Sequence, residues 1–333
     1  MTTKTEIPDA ALPVLLVHSG PHGVAVYARQ IAADVAAVDP RARISTVGAS
    51  LGPAEGTPVH VHVTDRLWAD SPEQATRTLT DLATRHPLTV TLHDVPQESD
   101  GERNRPRRRA FYRAVIEASR GVVVNSAHER DLLREEGVFS GPVAVVPLPV
   151  DSSAVALDAP AADGSVGVLG YFYPGKGHDE ALDAAAAAGL TRLTVLGRAS
   201  DGHAADLDAF VRRADVLGVA VEVTGWLDDA EMADRVRRVA VPVIAHRHVS
   251  ASGSLASWIG WGRRPLAVRN RYNDEMAALR PGTVTLVEPA ALAAAVSSAR
   301  DDAASTWHGQ HPVPFGRADA ARAYLDWWSE VVS

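Results

Sequence analysis

Residues 166–197 read VGVLGYFYPGKGHDEALDAAAAAGLTRLTVLG. The opening VGVLG and the closing LTVLG are short apolar runs of the kind that form buried strands. Between them, residues 178–188 are predicted to be helical, with Asp179 and Glu180 in the first turn, where negative side chains suit the helix dipole. Strand, helix, strand on this scale is the unit of a parallel sheet. The loop that joins strand to helix carries Gly175, Lys176 and Gly177. Lys176 is one of only two lysines in a chain that otherwise writes its basic positions as arginine. Flanking glycines let a backbone approach a ligand, and a helix N-terminus offers unpaired N–H groups to an anion. An ammonium on a flexible stem then adds a point charge that reaches a phosphate, whereas arginine suits a planar, bidentate partner. A surface lysine in an ordinary turn is the competing reading of the same residues.

The alternation continues outward from this unit. Downstream, helices are expected at about 203–217, 228–239, 253–261, 273–279 and 289–301, separated by the strands VAVEVTG, VPVIAH, PLAV and TVTLV. Upstream, VLLVH (14–18), RISTVG, VHVHV, LTVTL (88–92), GVVVN and VAVVPLPV read as strands. Helices are expected from Val24 to about Ala37, from Ser71 to Arg85, and from the N-cap Ser126 to a stop at Gly137. Residues 151–164, DSSAVALDAPAADG, lack periodicity and read as a linker. The fold class is therefore α/β, with two facing doubly wound, Rossmann-like domains at 1–155 and 163–310. A final helix at 316–333 is expected to pack back toward the first domain. Ligands of such sheets sit beyond the carboxyl ends of the strands, which points to the cleft between the domains.

Two further strand-to-helix junctions support a phosphate ligand. In HRHVSASGSLASWIGWGRRPLAV, Ser250, Ser252, Gly253 and Ser254 stand where a helix begins, as caps or as anion contacts. In HSGPHGV, Gly20 and Gly23 follow the first strand. That turn is not the dinucleotide fingerprint G-x-G-x-x-G, and no acid follows the second strand correctly, so a nicotinamide oxidoreductase ranks low. Three such loops spread over both domains suggest a diphosphate.

Composition narrows the classes. A net charge of −8 argues against general nucleic-acid binding, and the absence of cysteine excludes disulfides and thiolate chemistry. No signal segment or membrane span is read near the start, where the apolar run is short and broken by Pro13, so a cytoplasmic location is expected. The run GERNRPRRRAFYR (101–113) groups Arg107, Arg108 and Arg109. Pro106 suggests a helix start, so the run reads first as a solvated helix beginning; as a functional surface the arginines would suit an anionic acceptor or, weakly, an acidic membrane at the inner face. His60 with His62, and His246 with His248, alternate as strand-end polar residues; with no third ligand nearby, no metal site is expected. Asp94 either orients the ring of His93 or caps its loop. Trp258 and Trp261 read as packing, and Trp327 and Trp328 as anchors of the last helix.

Taken in order, GPHGV, TLHD (91–94), VVVNSAHERDLL (122–133) with VVPLPV (145–150), LGYFYPGKGHDEAL, VTGWLDDAEM (223–232) and SASGSLASWIGWGRRPL resemble the family-4 glycosyltransferases with the two-domain B fold. The resemblance covers nearly the whole chain and implies transfer of a sugar from a nucleotide-diphosphate donor such as a UDP- or GDP-sugar. It also implies retention of configuration and no metal or cofactor, the nucleotide-sugar being a substrate. It places Lys176, Gly20, Gly23, Ser252, Gly253 and Ser254 at the donor phosphates, His93 near the reacting sugar, and Gly225 and Trp226 near the base. The acceptor, whether small molecule, glycan or lipid, is left open. Two departures stand out. Tyr171 occupies a position where relatives often carry arginine, and the usual pair of glutamates is missing near Val249 or Ser250 and near Ser257. Glu275 is the candidate sugar-binding acid that remains. These gaps keep two alternatives open: a non-catalytic relative that binds nucleotide or a partner, and a nucleotide-sugar epimerase of the same fold.

Overall fold

The computed structural model describes residues 12–48, 52–152, 162–309 and 313–332. Most of the expected linker, residues 153–161, lies outside them. The chain divides into two compact units, one formed by residues through Pro149 together with those from Arg317 onward, the other by Val150–Gly316.

The first unit contains the strands β1 (Val14–Val17), β2 (Arg43–Thr46), β3 (Val59–Val63), β4 (Leu88–Leu92), β5 (Gly121–Val124) and β6 (Ala144–Val145). They form one parallel sheet in the order β2-β1-β3-β4-β5-β6. Its helices are α1 (Gly23–Val38), α2 (Asp65–Trp68), α3 (Pro72–Arg85), α4 (Gly101–Ala118) and α5 (Ala127–Glu135). The second unit contains β7 (Val166–Leu169), β8 (Arg192–Leu196), β9 (Ala220–Val223), β10 (Val241–Ile244), β11 (Leu266–Val268) and β12 (Thr285–Val287). These too are parallel, in the order β12-β11-β10-β7-β8-β9. Its helices are α6 (His178–Ala187), α7 (Ala204–Val216), α8 (Asp229–Arg238), α9 (Gly253–Gly260), α10 (Arg271–Leu279) and α11 (Leu292–Asp301). The last helix, α12 (Arg317–Val331), completes the first unit by packing on α1.

Both sheets are Rossmann-like, and their central strands are buried along their whole length because helices cover both faces, although β3 and β4 carry His60, His62, Thr89 and Thr91 among their apolar residues. Helix starts follow local chemistry. Ser71 accepts from the Gln74 N–H ahead of Pro72, Ser126 from Glu129, and Asp228 from Glu231, whose carboxylate returns the bond. On α12, Arg317 pairs with Asp34, the Tyr324 and Thr91 hydroxyls lie 2.8 Å apart, and Trp327 fills the space a side chain at Gly121 would need.

Three sequence expectations are corrected. The helix expected to begin at Pro106 begins at Gly101, because the Gln97 N–H bonds the Asp100 carboxylate at 3.0 Å and starts the turn earlier. Pro106 fits inside α4, where its fixed φ is helical and one backbone bond is forgone. The strand read over VAVVPLPV shrinks to Ala144–Val145, since Pro147 and Pro149 lack the N–H a ladder needs. Residues 289–291 form a 3-10 turn before α11 begins. Among the described residues no helix is long and apolar enough to cross a membrane.

Candidate functional site

In the second unit, two loops at the carboxyl edge of the sheet converge. The loop after β7 carries Lys176, and the loop after β10 carries the serines. The Lys176 ammonium donates to Ser254 Oγ at 3.0 Å, and Ser254 and Ser252 hydroxyls lie 3.2 Å apart. Ser252 also caps α9, accepting from Leu255 N–H at 3.2 Å, while its own N–H donates to the Tyr272 hydroxyl at 2.9 Å. Tyr272 thus fixes the serine loop from α10. Sequence reasoning missed it, because nothing in its local pattern marks a loop contact. Gly253 opens α9, and a side chain added there would meet nothing within 4 Å. Glu275 lies one turn beyond Tyr272 on α10 and is half-buried.

Lys176 is only 8% exposed and forms no ion pair among the described residues. Burial pushes its pKa down to about 8. Two buried imidazoles share its surroundings. His178 is pushed down to about 3 by burial and then by the Lys176 charge; His246 is held well below the ordinary histidine value by burial, Lys176 and His178. Both are neutral at pH 7, so the cluster carries one positive charge and no compensating carboxylate. The tight loop depends on Gly177, whose φ is +100°. A Cβ there would fall 2.5 Å from the Ala245 carbonyl carbon. Gly225, with φ +72°, donates its N–H to Gly197 O at 3.0 Å. Next to it, Trp226 leaves its indole 70% exposed.

The first unit holds a buried polar chain at the carboxyl edge of β3, β4 and β5. Asn125 Nδ2 donates to Leu92 O at 3.2 Å, which fixes which way the amide points. The same nitrogen lies 3.2 Å from His93 Nδ1, so that ring nitrogen is the acceptor. His93 must then carry its proton on Nε2, 2.9 Å from His62 Nδ1, which accepts it. His60 sits between Thr89 and Thr91 at 3.0 Å each. Burial holds His60 down to about 3 and keeps His62 and His93 well below the usual histidine range, each also lowered by a neighbouring histidine. Of the two readings of Asp94, orienting the His93 ring is not what the structure shows: Asn125 and His62 meet the ring nitrogens. The Asp94 carbonyl instead accepts from Tyr112 and Arg108. Both ring nitrogens of His93 are thereby engaged within this unit. The pairing of His62 with His93 was hidden from the sequence, because it depends on β3 and β4 being neighbours: His62 stands opposite Thr91, and His93 follows the last residue of β4.

The turn after β1 is tied by Arg29, which donates to His18 O at 2.6 Å and to Gly20 O at 2.9 Å. Gly23 is the first residue of α1, and His22 caps that helix through its Nδ1 at 3.2 Å from Val24 N.

The arginines of the run are paired within their own unit. Arg107 makes a two-point pair with Glu73 at 2.7 and 2.8 Å. Arg108 reaches both Asp65 and Asp100, and Arg109 lies 3.9 Å from Glu136. Their charges are matched by carboxylates of the same unit. Among the described residues no group of three or more histidines and acids could hold a metal ion.

Comparison with known proteins points the same way. The profile of Glycosyltransferase Family 4 matches residues 59–154. No curated protein matches the chain. Among solved structures, sucrose-phosphate synthase from Thermosynechococcus elongatus is 17% identical with a TM-score of 0.66, over 97% of this chain and 93% of that one. HepE of Anabaena, solved with UDP and glucose, is 14% identical with a TM-score of 0.64, over 96% and 95%. The pneumococcal O-GlcNAc transferase GtfA, solved with UDP and GlcNAc, is 12% identical with a TM-score of 0.56, over 82% of this chain and 56% of that one. The chain therefore has the glycosyltransferase B fold, and its residues 59–154 match Glycosyltransferase Family 4.

Proposed function

We propose that this protein is a glycosyltransferase that moves a sugar from a nucleotide-diphosphate donor to an acceptor. The observation that carries the reading is Lys176: a buried ammonium with no carboxylate partner among the described residues, bonded to the serine loop that begins α9. A buried, unmatched cation is costly unless a ligand supplies the opposite charge. A diphosphate does so, with Ser252, Ser254 and the α9 N-terminus as further donors. UDP is the first nucleotide to test, because HepE and GtfA were each solved with it.

In this reading the bond from the sugar anomeric carbon to the β-phosphate oxygen breaks, and a bond to the acceptor oxygen forms. Negative charge grows on the departing diphosphate, where Lys176 and the serine-loop donors stabilise it; such preorganised electrostatics dominate many enzymes' rates. The departing phosphate takes the acceptor's proton, and attack from its own side gives retention. The reading needs no resident cofactor. Trp226 stacks the base and Glu275 meets the sugar, and the turn at Gly20 and Gly23 is a further candidate phosphate contact. The cysteine-free composition fits a reducing, cytoplasmic setting.

Two observations favour a second reading, binding without transfer: both ring nitrogens of His93 are engaged, and no acid stands at Val249, Ser250 or Ser257. Calorimetry with UDP, GDP and ADP tests the shared premise. One nucleotide should bind, and Lys176→Ala should bind it at least several-fold more weakly. Hydrolysis of the matching sugar nucleotide then separates the readings. Turnover by the wild type that is lost in His93→Ala supports the enzyme; binding with no turnover supports the binder.

A further inference from the structure

Beyond Leu169 and Leu196, β7 and β8 stay in register for three more residues, because Phe172 still bridges Ala199. Gly170 therefore stands opposite Gly197, and Tyr171 opposite Arg198. The two glycines let the chains touch: a Cβ at Gly197 would lie 2.3 Å from Gly170 O. A Cβ at Gly170 would lie 3.4 Å from Lys176 Nζ. Arg198 is thus one residue along from the backbone that borders the buried ammonium, at the sheet edge where ligands of this fold class bind.

Its side chain is arranged for a ligand outside the protein. The guanidinium carbon lies over the Tyr171 ring, 5.1 Å from its centre, in a cation–π contact, and the side chain also hydrogen-bonds Tyr171. Nη1 donates to Ala199 O at 3.0 Å. The one carboxylate it meets, Asp201 at 3.1 Å, is 95% exposed, and such surface pairs hold weakly. Arg198 itself is 46% exposed. It differs in this from Arg107 and Arg108, which are locked by two-point or double pairs.

We infer that Arg198, oriented by Tyr171, is a second cationic contact for the phosphates of the nucleotide donor, displacing Asp201 when the ligand binds. The inference rests on the proposed donor site and adds a residue to it. Lys176 supplies a buried point charge, and Arg198 a planar fork from the solvent side.

The test is calorimetric titration of UDP, with inorganic pyrophosphate as a competitor. Arg198→Ala should weaken both by at least about tenfold, the loss of one charge-assisted contact. Arg198→Lys should recover only part, since it keeps the charge without the fork. Tyr171→Phe, which keeps the ring and loses the hydroxyl, should bind more tightly than Tyr171→Ala, and both should fall between the wild type and Arg198→Ala. Asp201→Ala should bind equally or more tightly. The melting temperature of Arg198→Ala should stay near that of the wild type, because Arg198 is at the surface, whereas Tyr171 is half-buried. If the wild type binds UDP and Lys176→Ala loses it while Arg198→Ala does not, the inference fails and the donor-site reading stands. Undiminished competition by pyrophosphate in Arg198→Ala also overturns it. If the wild type binds none of UDP, GDP and ADP, both fall.

Discussion

Replacing Lys176 by methionine should stabilise the free protein and abolish its nucleotide binding. Burial takes the ammonium from its ordinary 10.5 down to about 8. At roughly 1.4 kcal/mol per pH unit, the charged side chain costs the folded state about 3 kcal/mol at neutral pH. Methionine has a similar length and no charge to desolvate, and Ser254 keeps Ser252 as a partner. For a unit of this size, about 3 kcal/mol corresponds to a rise of roughly 6–12 °C in melting temperature. The sign comes from proton counts. Below pH 8 both folded and unfolded lysine are charged, so the cost is present in full. Between 8 and 10.5 the folded protein sheds the proton first and the cost shrinks, and above 10.5 it is gone. The advantage of Lys176→Met is therefore largest at pH 7 and fades as pH rises through that window. Nucleotide affinity of the wild type runs the other way, falling about tenfold per pH unit above 8 as the ammonium is lost. The assay is scanning calorimetry from pH 7 to 10, read on the transition that UDP shifts upward. A variant that melts lower than the wild type at pH 7, by an amount that does not vary with pH, would refute the reasoning. The ammonium would then be well solvated or paired.

Gly177→Ala should destabilise the second unit by about 3 kcal/mol or more, since φ +100° and a 2.5 Å approach to the Ala245 backbone both resist a side chain; thermal melting reads it. The first unit should lose stability as pH falls below about 6.5. Its buried His60, His62 and His93 stay neutral while the unfolded chain takes up protons, each adding up to about 1.4 kcal/mol per pH unit. His62→Gln should remove one such contribution between pH 7.5 and 5, and an unchanged slope would show that His62 already titrates normally. Trp226→Ala should leave the melting temperature unchanged, because the indole is 70% exposed, and should weaken UDP binding by about 1–3 kcal/mol through lost stacking.

The sequence announces strands through apolar runs and helices through caps, and both signals are local. That is why the element order was legible, down to Ser126, Gly177 and the helix that opens at Gly253. Errors fell where neighbouring residues cancel a local signal. VAVV reads as a strand until Pro147 and Pro149 deny it a ladder, and Pro106 reads as a helix start only if the Asp100 cap is overlooked. The site divided in the same way. Lys176 and the serines were visible because each stands at a strand-to-helix junction beside glycine. His62 with His93, and Tyr171 with Arg198, were not, because a strand's neighbour and its register are decided by the whole sheet. Distance along the chain also hides how the arginine run is paired. Arg107 and Arg108 look unpaired along the chain, but Glu73 precedes α4 by a full βα unit and Asp65 by more. A cation's availability is thus a property of the fold, and the sheet reverses the ranking. The conspicuous cluster is paired by its neighbours, while among the described residues Lys176 is buried without a carboxylate and Arg198 is held only by an exposed one, the ranking that the proposed donor site requires.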